Sequence, residues 1–331
     1  MATEKECAAL AAVMDGERSG VRRTVAERLP LPSGWVEVPE VRFGPDTGLQ
    51  ARAFVGFQGD TVLAFNGPDF FADALAASID ADEFVTNLAL DMGLASFTDA
   101  LQNATHAYAL LRQRRLGEGK DPSRIHLTGH GVGGGIASVL ATWFDQTCTV
   151  FAQAPMRAVA LMPGDFASAH CTMETLMGSA DGAVKALQGF IRHPREMLAQ
   201  REQLRVRHLH VRGEVHALLR SPATAVQGSE QAIDIGIQPA TVKVALTLHD
   251  MKLHAALLYE PRLATLCQSS PDLLSLLIDR EEEGGDLIDT LISDQHRAGL
   301  DAESARQRFV AGLAWTGEVP ARGVMKDTAA G

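Results

Sequence analysis

The stretch LTGHGVGGG, residues 127–135, constrains the fold more than any other part of this sequence. It stands between SRIH, which has the character of a buried strand, and IASVLATWF, an apolar run typical of a helix. Glycine lets the backbone bend sharply and approach its neighbours closely, because it has no Cβ. The pattern therefore predicts a strand, a tight turn and a helix, with a ligand or a reacting group beside the turn.

Two functions share this outline, and the first is dinucleotide binding. Gly129, Gly131 and Gly134 formally satisfy the spacing G-x-G-x-x-G, which would hold a pyrophosphate at the helix N-terminus. The motif lies late in the chain, however, and His130 puts a large ring into the turn. No well-placed acidic residue follows about twenty positions on, where a ribose partner is expected. These departures disfavour dinucleotide binding.

The second function is that of the nucleophile elbow, G-x-S-x-G, in which small flanking residues expose a central serine at a strand-to-helix turn. Gly129 and Gly133 occupy the flanking positions, and His130 occupies the second position. The central position, where a hydrolase has its nucleophile, is Gly131.

LTGHGVGGGIASVLA resembles the TGHSLGGALASLLA stretch of class 3 (fungal-type) lipases, with glycine in place of serine. TVLAFNGPD is similar to that family's VVAFRGTD strand and oxyanion turn, and DEFVTNLAL is similar to its DWLTNL segment. AALAAVM and the LPSGW turn with Trp35 are similar to segments that precede the sheet in bacterial members. The resemblance covers residues 7–260 and implies an α/β-hydrolase fold with a serine-hydrolase site.

The resemblance also implies a catalytic acid and a catalytic histidine, in the chain order nucleophile, acid, histidine. Glu214 follows the strand-like VRHLHVRG, at the place of the family's aspartate; the alternative is that it only caps a turn. His249 is expected at a strand end before a helix, at the place of the family's histidine, and His254 is its rival one turn later. His130 is expected to pack in the elbow rather than to react.

Two departures from the family predict that hydrolysis is lost. Gly131 has no side chain, and removal of a catalytic serine lowers turnover on the order of 10⁶-fold in a serine protease. Pro68 stands where the family's backbone N–H binds the oxyanion, and proline has no N–H to donate. Val132 supplies the other oxyanion N–H, and Asn66 replaces the family's arginine. Serines outside any G-x-S-x-G context are expected at helix surfaces or caps: Ser96, Ser138 and Ser179.

Composition excludes several other classes of protein. The 331 residues are 46% hydrophobic and 21% charged, as in a globular protein. The formal net charge of -11 argues against a nucleic-acid partner, and the basic run 191–212 is expected to be a solvated helix face. Four scattered cysteines, Cys7, Cys148, Cys171 and Cys267, predict neither a zinc site nor a disulfide framework, and no metal or cofactor is expected.

The sequence also predicts where the protein acts. The first twenty residues contain no basic segment followed by an apolar one, and no apolar run reaches the about 20 residues of a membrane span. We therefore expect a cytoplasmic protein, with export that needs no cleaved signal as the alternative.

Strand-like and helix-like segments alternate up to about residue 260, which predicts a mostly parallel sheet with helices on both faces. The predicted strands are LQARAFVGF (49–57), TVLAF (61–65), RIHLTG (124–129), VALMPG (159–164), VRHLHVRG (206–213) and VKVALTLHD (242–250). The predicted helices are 7–28, 71–80, 82–93, 96–117, 132–144, 166–204 and, in a C-terminal tail, 271–280, 284–297 and 301–315. The expected organisation is a hydrolase domain over 1–260 with a helical insertion at 166–204, and a helical extension over 261–331 packed on it.

These observations favour a non-catalytic descendant of a class 3 lipase. Its expected partner is an acyl lipid or ester ligand, or a protein bound through 166–204 or the helical tail. One alternative is a lipid or carboxylester hydrolase whose natural serine at 131 was replaced for study, and a second is a dinucleotide-binding protein. A replacement at 131 alone does not account for Pro68.

Overall fold

A seven-stranded sheet organises the part of the chain that the computed structural model describes: residues 2–16, 29–43, 49–67, 97–218, 225–226, 228–238 and 242–269. The strands lie in chain order: β1 (Trp35–Phe43), β2 (Gln50–Gly56), β3 (Thr61–Asn66), β4 (Ile125–His130), β5 (Cys148–Phe151), β6 (Val206–Val211) and β7 (Ser229–Ile233). β1, β2 and β3 are antiparallel neighbours, whereas β3 to β7 run parallel. The prediction of a mostly parallel sheet in an α/β fold is confirmed.

Helices connect and cover the strands. They are α1 (Glu4–Gly16), α2 (Phe97–Gly117), α3 (Gly131–Phe144), α4 (Arg157–Ala160), α5 (Pro163–Met177), α6 (Gly182–Arg192), α7 (Pro194–Arg205), α8 (Val242–Leu248), α9 (Met251–Tyr259) and α10 (Arg262–Ser269), with a 3₁₀ turn at Val215–Leu218. The helical prediction for 166–204 is confirmed, and α5, α6 and α7, with the short α4 before them, form the crossover from β5 to β6.

Both faces of the sheet are covered, as the alternation in β3 shows. Leu63 and Phe65 pack with buried residues of α2 and α3 on one face. Val62 and Ala64 pack with Leu10 and Met14 of α1 on the other face. Successive side chains of a strand point to opposite faces, so a strand that is buried along its whole length, such as β3, requires a cover on each side.

Every residue of α3 is buried, which explains why its sequence is apolar all round. Its 14 residues are fewer than the about 20 that a membrane span requires. Among the described segments, no helix combines the length and the apolar character needed to cross a membrane.

Two predicted strands are wrong. VALMPG (159–164) contains the end of α4 and the start of α5, because Pro163 takes the first position of a helix; the next strand is instead the apolar CTVF of β5. VKVALTLHD (242–250) is helix α8 followed by the junction with α9, although its β-branched residues suggested a strand. His249 therefore lies between two helices rather than at a strand end.

Other predictions fall partly outside the described residues. Within the described residues, the first helix is α1, Glu4–Gly16. The predicted helices at 71–80, 82–93 and beyond 270 lie outside the described residues, as do Pro68 and Ser96. Of the predicted tail, α10 is described, and its Leu263 and Cys267 are buried. The division at residue 260 stays a prediction.

The contact between α3 and β3 gives a test of the fold. A Cβ on Gly133 would lie 2.2 Å from the carbonyl oxygen of Phe65, which is backbone and cannot rotate away. We expect Gly133→Ala to lower the free energy of unfolding by about 1–3 kcal/mol or more. In the control Gly164→Ala, the new methyl meets nothing within 4 Å in α5 and gains up to about 1 kcal/mol of helix propensity. Chemical denaturation measures both, and equal effects would contradict the backbone contact.

Candidate active site

The turn between β4 and α3 has the geometry of a nucleophile elbow. β4 ends at His130 and α3 begins at Gly131 with no loop between them. Gly131 has φ +54°, in the left-handed region that L side chains adopt at a cost. A Cβ on Gly129 would lie 2.5 Å from the backbone carbon of Gly133, so these two flanking positions pass too closely for side chains. Glycine adopts this conformation without strain, whereas a serine in a nucleophile elbow is strained there.

Glu214 and His249 form a buried hydrogen-bonded pair across 35 residues of chain. Glu214 follows β6 and Gly213 and is fully buried. Its Oε2 accepts a hydrogen bond from the backbone N–H of His216 at 2.8 Å and another from Nδ1–H of His249 at 2.7 Å. The carboxylate thereby fixes both the orientation and the tautomer of the His249 ring.

The second nitrogen of His249 faces Gly131. A Cβ built on Gly131 would lie 3.3 Å from His249 Nε2, the nearest atom to it. Because Nδ1 carries the proton toward Glu214, Nε2 presents its lone pair at this place. A hydroxyl one bond beyond that Cβ would be within hydrogen-bond reach of Nε2. The structure therefore brings residues 131, 214 and 249 together, as the resemblance implied, and residue 131 has no side chain.

The environment holds His249 in its neutral form. Burial lowers the pKa of His249, and the nearby His130 lowers it further, against the opposing effect of Glu214. The direction is the one a general base requires, because the unprotonated imidazole is the form that accepts a proton.

His130 positions His249 from the opposite side. Its Nε2–H donates to the backbone carbonyl oxygen of His249 at 2.6 Å, and the two ring centroids lie 4.5 Å apart. Its Nδ1 lies 3.5 Å from a carboxylate oxygen of Asp15 in α1. These contacts fit the predicted packing role of His130 and tie the elbow to the junction of α8 and α9.

His216 is a site residue that the sequence interpretation missed. Its Nδ1–H donates to the carbonyl oxygen of Ala152 at 2.8 Å, and its ring meets that of His249 edge-on at 4.4 Å. Its Cε1 lies 3.7 Å from the Cβ position of residue 131. The available signal was its place two residues after Glu214, on the same loop. It forms the second wall of the space beside Gly131.

The rival histidine His254 is engaged elsewhere. Its Nε2 accepts from the backbone N–H of Val211 at 3.3 Å, and its Nδ1–H donates to the carbonyl oxygen of Asp250 at 2.8 Å. Burial, together with His130, lowers its pKa to about 3. Both ring nitrogens are used in backbone contacts, so His254 links α9 to β6 and is not available to residue 131.

The candidate oxyanion position lies against the end of β3. Val132 is in the first turn of α3, whose N–H groups have no partner within the helix. A Cβ on Gly67 would lie 2.4 Å from Cγ1 of Val132, so the end of β3 and the elbow touch. Pro68 follows Gly67 outside the described residues, and the oxyanion roles of Pro68 and Val132 stay predictions.

Neither Ser138 nor Ser179 replaces the missing hydroxyl. Ser138 is buried in α3 and its Oγ lies 2.5 Å from Oε1 of Gln153, to which it donates. Ser179 is exposed between α5 and α6. The prediction of a helix surface or cap is wrong for Ser138, which lies in the buried interior of α3, and Ser179 lies in a turn between two helices.

Two groups of side chains in the described residues have metal-ligand composition: Glu214 with His216 and His249, and His208 with His210 and Glu230. In the first group, the Glu214–His249 bond already explains the proximity. In the second, Nε2 of His208 accepts from the backbone N–H of Gln153 at 3.3 Å. That contact puts the ring proton on Nδ1, the atom that faces Glu230, so the group is better described as a polar cluster than as a ligand set.

Comparison with known proteins adds little to this geometry. No protein-family model and no curated protein matches the chain. An acetyl ester-xyloside bifunctional hydrolase from Caldicellulosiruptor lactoaceticus aligns with 53% of this chain at 16% identity and a TM-score of 0.26. The chain spans less than two thirds of that enzyme, namely 65%. Carboxyl esterase 2 from the mycorrhizal fungus Tuber melanosporum aligns with 78% of this chain, at 12% identity and a TM-score of 0.30. That alignment covers 98% of the esterase chain. These TM-scores are too low to carry an argument about fold or function.

The electrostatics of His249 can be tested by two substitutions that are expected to change its pKa in opposite directions. Glu214→Gln removes the group that raises the pKa of His249, so we expect that pKa to fall further below its ordinary value. His130→Gln removes a group that lowers it and keeps an N–H for the carbonyl of His249, so we expect the pKa to rise. NMR titration of the imidazole protons measures both. Shifts in the same direction would contradict the arrangement.

Proposed function

We propose that this protein is a pseudo-lipase of the class 3 type, which binds an acyl lipid or ester without forming an acyl-enzyme. One observation carries the proposal: residue 131 has the elbow conformation and would direct a side chain at His249 Nε2, yet it is glycine. Covalent acyl transfer needs a hydroxyl or thiol at that place. The base and the acid are present, and the nucleophile is absent.

A partly apolar cavity supports the acyl ligand. It has a volume of about 380 Å³, within the usual range for small-molecule sites. Its lining is apolar at Leu161, Pro163, Phe166 and Pro194 and polar at His193, Arg195 and Glu196. α7 leads directly into the amino end of β6, so its first residues lie toward the carboxyl edge of the sheet. That edge is where β4 ends and where α/β proteins bind their ligands.

Imidazole rings face the glycine turn, which gives the dinucleotide alternative no support. The three atoms nearest to a Cβ on Gly131 belong to His249 and His216. A pyrophosphate in front of α3 would have to displace these rings, both of which are hydrogen-bonded.

Ligand binding can be measured by thermal unfolding. Fatty acids or lysolipids at a hundredfold excess over Kd should stabilise the protein by about 2.7 kcal/mol and raise its melting temperature, with an effect that grows with chain length. Leu161→Glu, which puts a charge into the apolar part of the cavity, should abolish the shift. Leu116→Glu changes a half-exposed leucine of α2 and should leave the shift intact. A melting temperature that does not change with any chain length would contradict the binding of an acyl ligand.

Restoring the hydroxyl tests the missing nucleophile. Gly131→Ser places an oxygen beside His249 Nε2, and we expect an active-site fluorophosphonate to label this variant and not Gly131→Ala, which has the same backbone strain. Efficient turnover of short p-nitrophenyl esters by Gly131→Ser would instead favour a hydrolase whose natural residue at 131 is serine. It would also mean that Pro68 is not the oxyanion residue.

A further inference from the structure

A second cavity lies at the opposite edge of the sheet from the elbow. Its volume is about 680 Å³, within the usual range for small-molecule sites. Its lining includes the first residues of β3 and β4, Thr61 and Ile125, and the residues 145–147 that follow α3. The elbow is at the carboxyl end of β4, so this cavity, which we call the amino-edge cavity, is separate from the candidate active site.

We propose that the amino-edge cavity binds a small zwitterion, namely an α-amino acid with an apolar side chain. The inference does not depend on the proposed function, because it concerns another edge of the sheet and another class of ligand. It rests on the charges of both signs that line the cavity, on their balance, and on the apolar residues beside them.

Two ion pairs in the lining supply the charges. Arg205, at the end of α7, donates from Nε and Nη2 to the two carboxylate oxygens of Asp145, at 2.8 and 3.1 Å. Nη2 of Arg124 donates to a carboxylate oxygen of Asp60 at 3.4 Å. A guanidinium has five N–H donors, so each arginine has donors beyond those in its pair. The side chains are exposed by 58% for Arg124 and 36% for Arg205, so a ligand carboxylate reaches them, while the two aspartates attract its ammonium.

The charges around the cavity balance. The third arginine of the lining, Arg112, donates from Nη2 to both carboxylate oxygens of Asp181, at 3.0 and 2.8 Å. Burial lowers the pKa of His126 to about 4, so this lining imidazole is neutral at neutral pH. Three guanidiniums are thus paired with three carboxylates. A ligand with a net charge would leave that charge uncompensated in a partly enclosed place, whereas a zwitterion adds one charge of each sign.

Two buried polar atoms on lining residues have no hydrogen-bond partner within the described parts of the chain. They are Nε of Arg112, which is a donor, and Oε1 of Gln146, which is an acceptor. Such groups are few in folded proteins, and each needs an explanation, of which a bound molecule is one. A ligand that carries both a carboxylate and an ammonium offers both kinds of partner.

Apolar residues form the remaining part of the lining. They are Ile125 at the start of β4, Phe144 at the end of α3, and Ala183 and Ala186 in the first half of α6. Burial of an apolar ligand group against such residues is favourable, because it removes apolar surface from water. The alanines are short and leave room, which favours an amino acid with an aliphatic side chain.

Calorimetric titration of the full chain with three matched ligands tests the chemistry. L-leucine carries both charges, N-acetyl-L-leucine lacks the ammonium, and L-leucinamide lacks the carboxylate. We expect L-leucine to bind, and each derivative to bind about 10-fold more weakly or worse, because each loses a charge-assisted hydrogen bond.

Variants of the lining test the place. Arg205→Gln should weaken the binding of L-leucine by about 10-fold or more and leave the weaker binding of L-leucinamide unchanged, because only L-leucine has the carboxylate. Ala186→Phe fills the cavity without changing its charge and should abolish binding. Arg114→Gln is the matched control, because Arg114 is also paired with carboxylates and 37% exposed but lies outside the lining, so it should keep the affinity. Thermal unfolding confirms that each variant folds.

Three results would overturn the inference: no binding of L-leucine at millimolar concentration, equal affinities for the three ligands, and binding that survives both Arg205→Gln and Ala186→Phe. The proposed function fails separately, because stabilisation by fatty acids is expected to depend on Leu161 in the other cavity. Leu161→Glu should therefore abolish the effect of fatty acids and leave the affinity for L-leucine unchanged, and loss of both would contradict two separate sites.

Discussion

The close approach of α3 to the end of β3 determines the rest of the site. With the carbonyl oxygen of Phe65 2.2 Å from where a Cβ of residue 133 would be, the helix can lie against the strand only if that residue is glycine. This contact allows α3 to begin one residue after β4 ends. Within the same turn, residue 131 has a left-handed conformation, and a Cβ on it would face His249. The glycines that build the turn are thus structural requirements at 129 and 133, whereas glycine at 131 decides the chemistry.

The base and the acid are held independently of residue 131. Glu214 is fixed by the turn after β6 and by the backbone N–H of His216, and His249 is fixed by the junction of α8 and α9 and by the ring of His130. None of these contacts involves a side chain at 131. A buried carboxylate is expensive unless it is hydrogen-bonded, and Glu214 meets this demand within the pair and its loop. The Glu214–His249 pair is therefore ordered without any side chain at residue 131.

The sequence predicted the parts of the fold whose signal is local. Glycine spacing predicted the elbow, and apolar runs predicted β3 and α3, because each is buried along its whole length and has little room for polar residues. The edge strands were missed for physical reasons. β1 contains Pro39, which normally argues against a strand, but the register shifts between Val38 and Arg42 and a proline is tolerated at such an irregularity on an edge. β7, with the sequence SEQAI, is mostly exposed, so no alternation of apolar and polar residues marks it.

The histidines show why the site was harder to predict than the fold. His249 was favoured over His254 because of an expected strand end that is really a junction between two helices. Its place in the site comes instead from contacts with residues far along the chain, Glu214 and His130, which no local pattern encodes. His254 lies five residues later in the same region, yet α9 turns it toward the backbone of β6. The imidazoles of His249 and His254 thus have different roles because their ring nitrogens point in different directions. His254 joins α9 to the backbone of β6, whereas Glu214 and His130 hold His249 with its Nε2 toward the place where a side chain of residue 131 would begin.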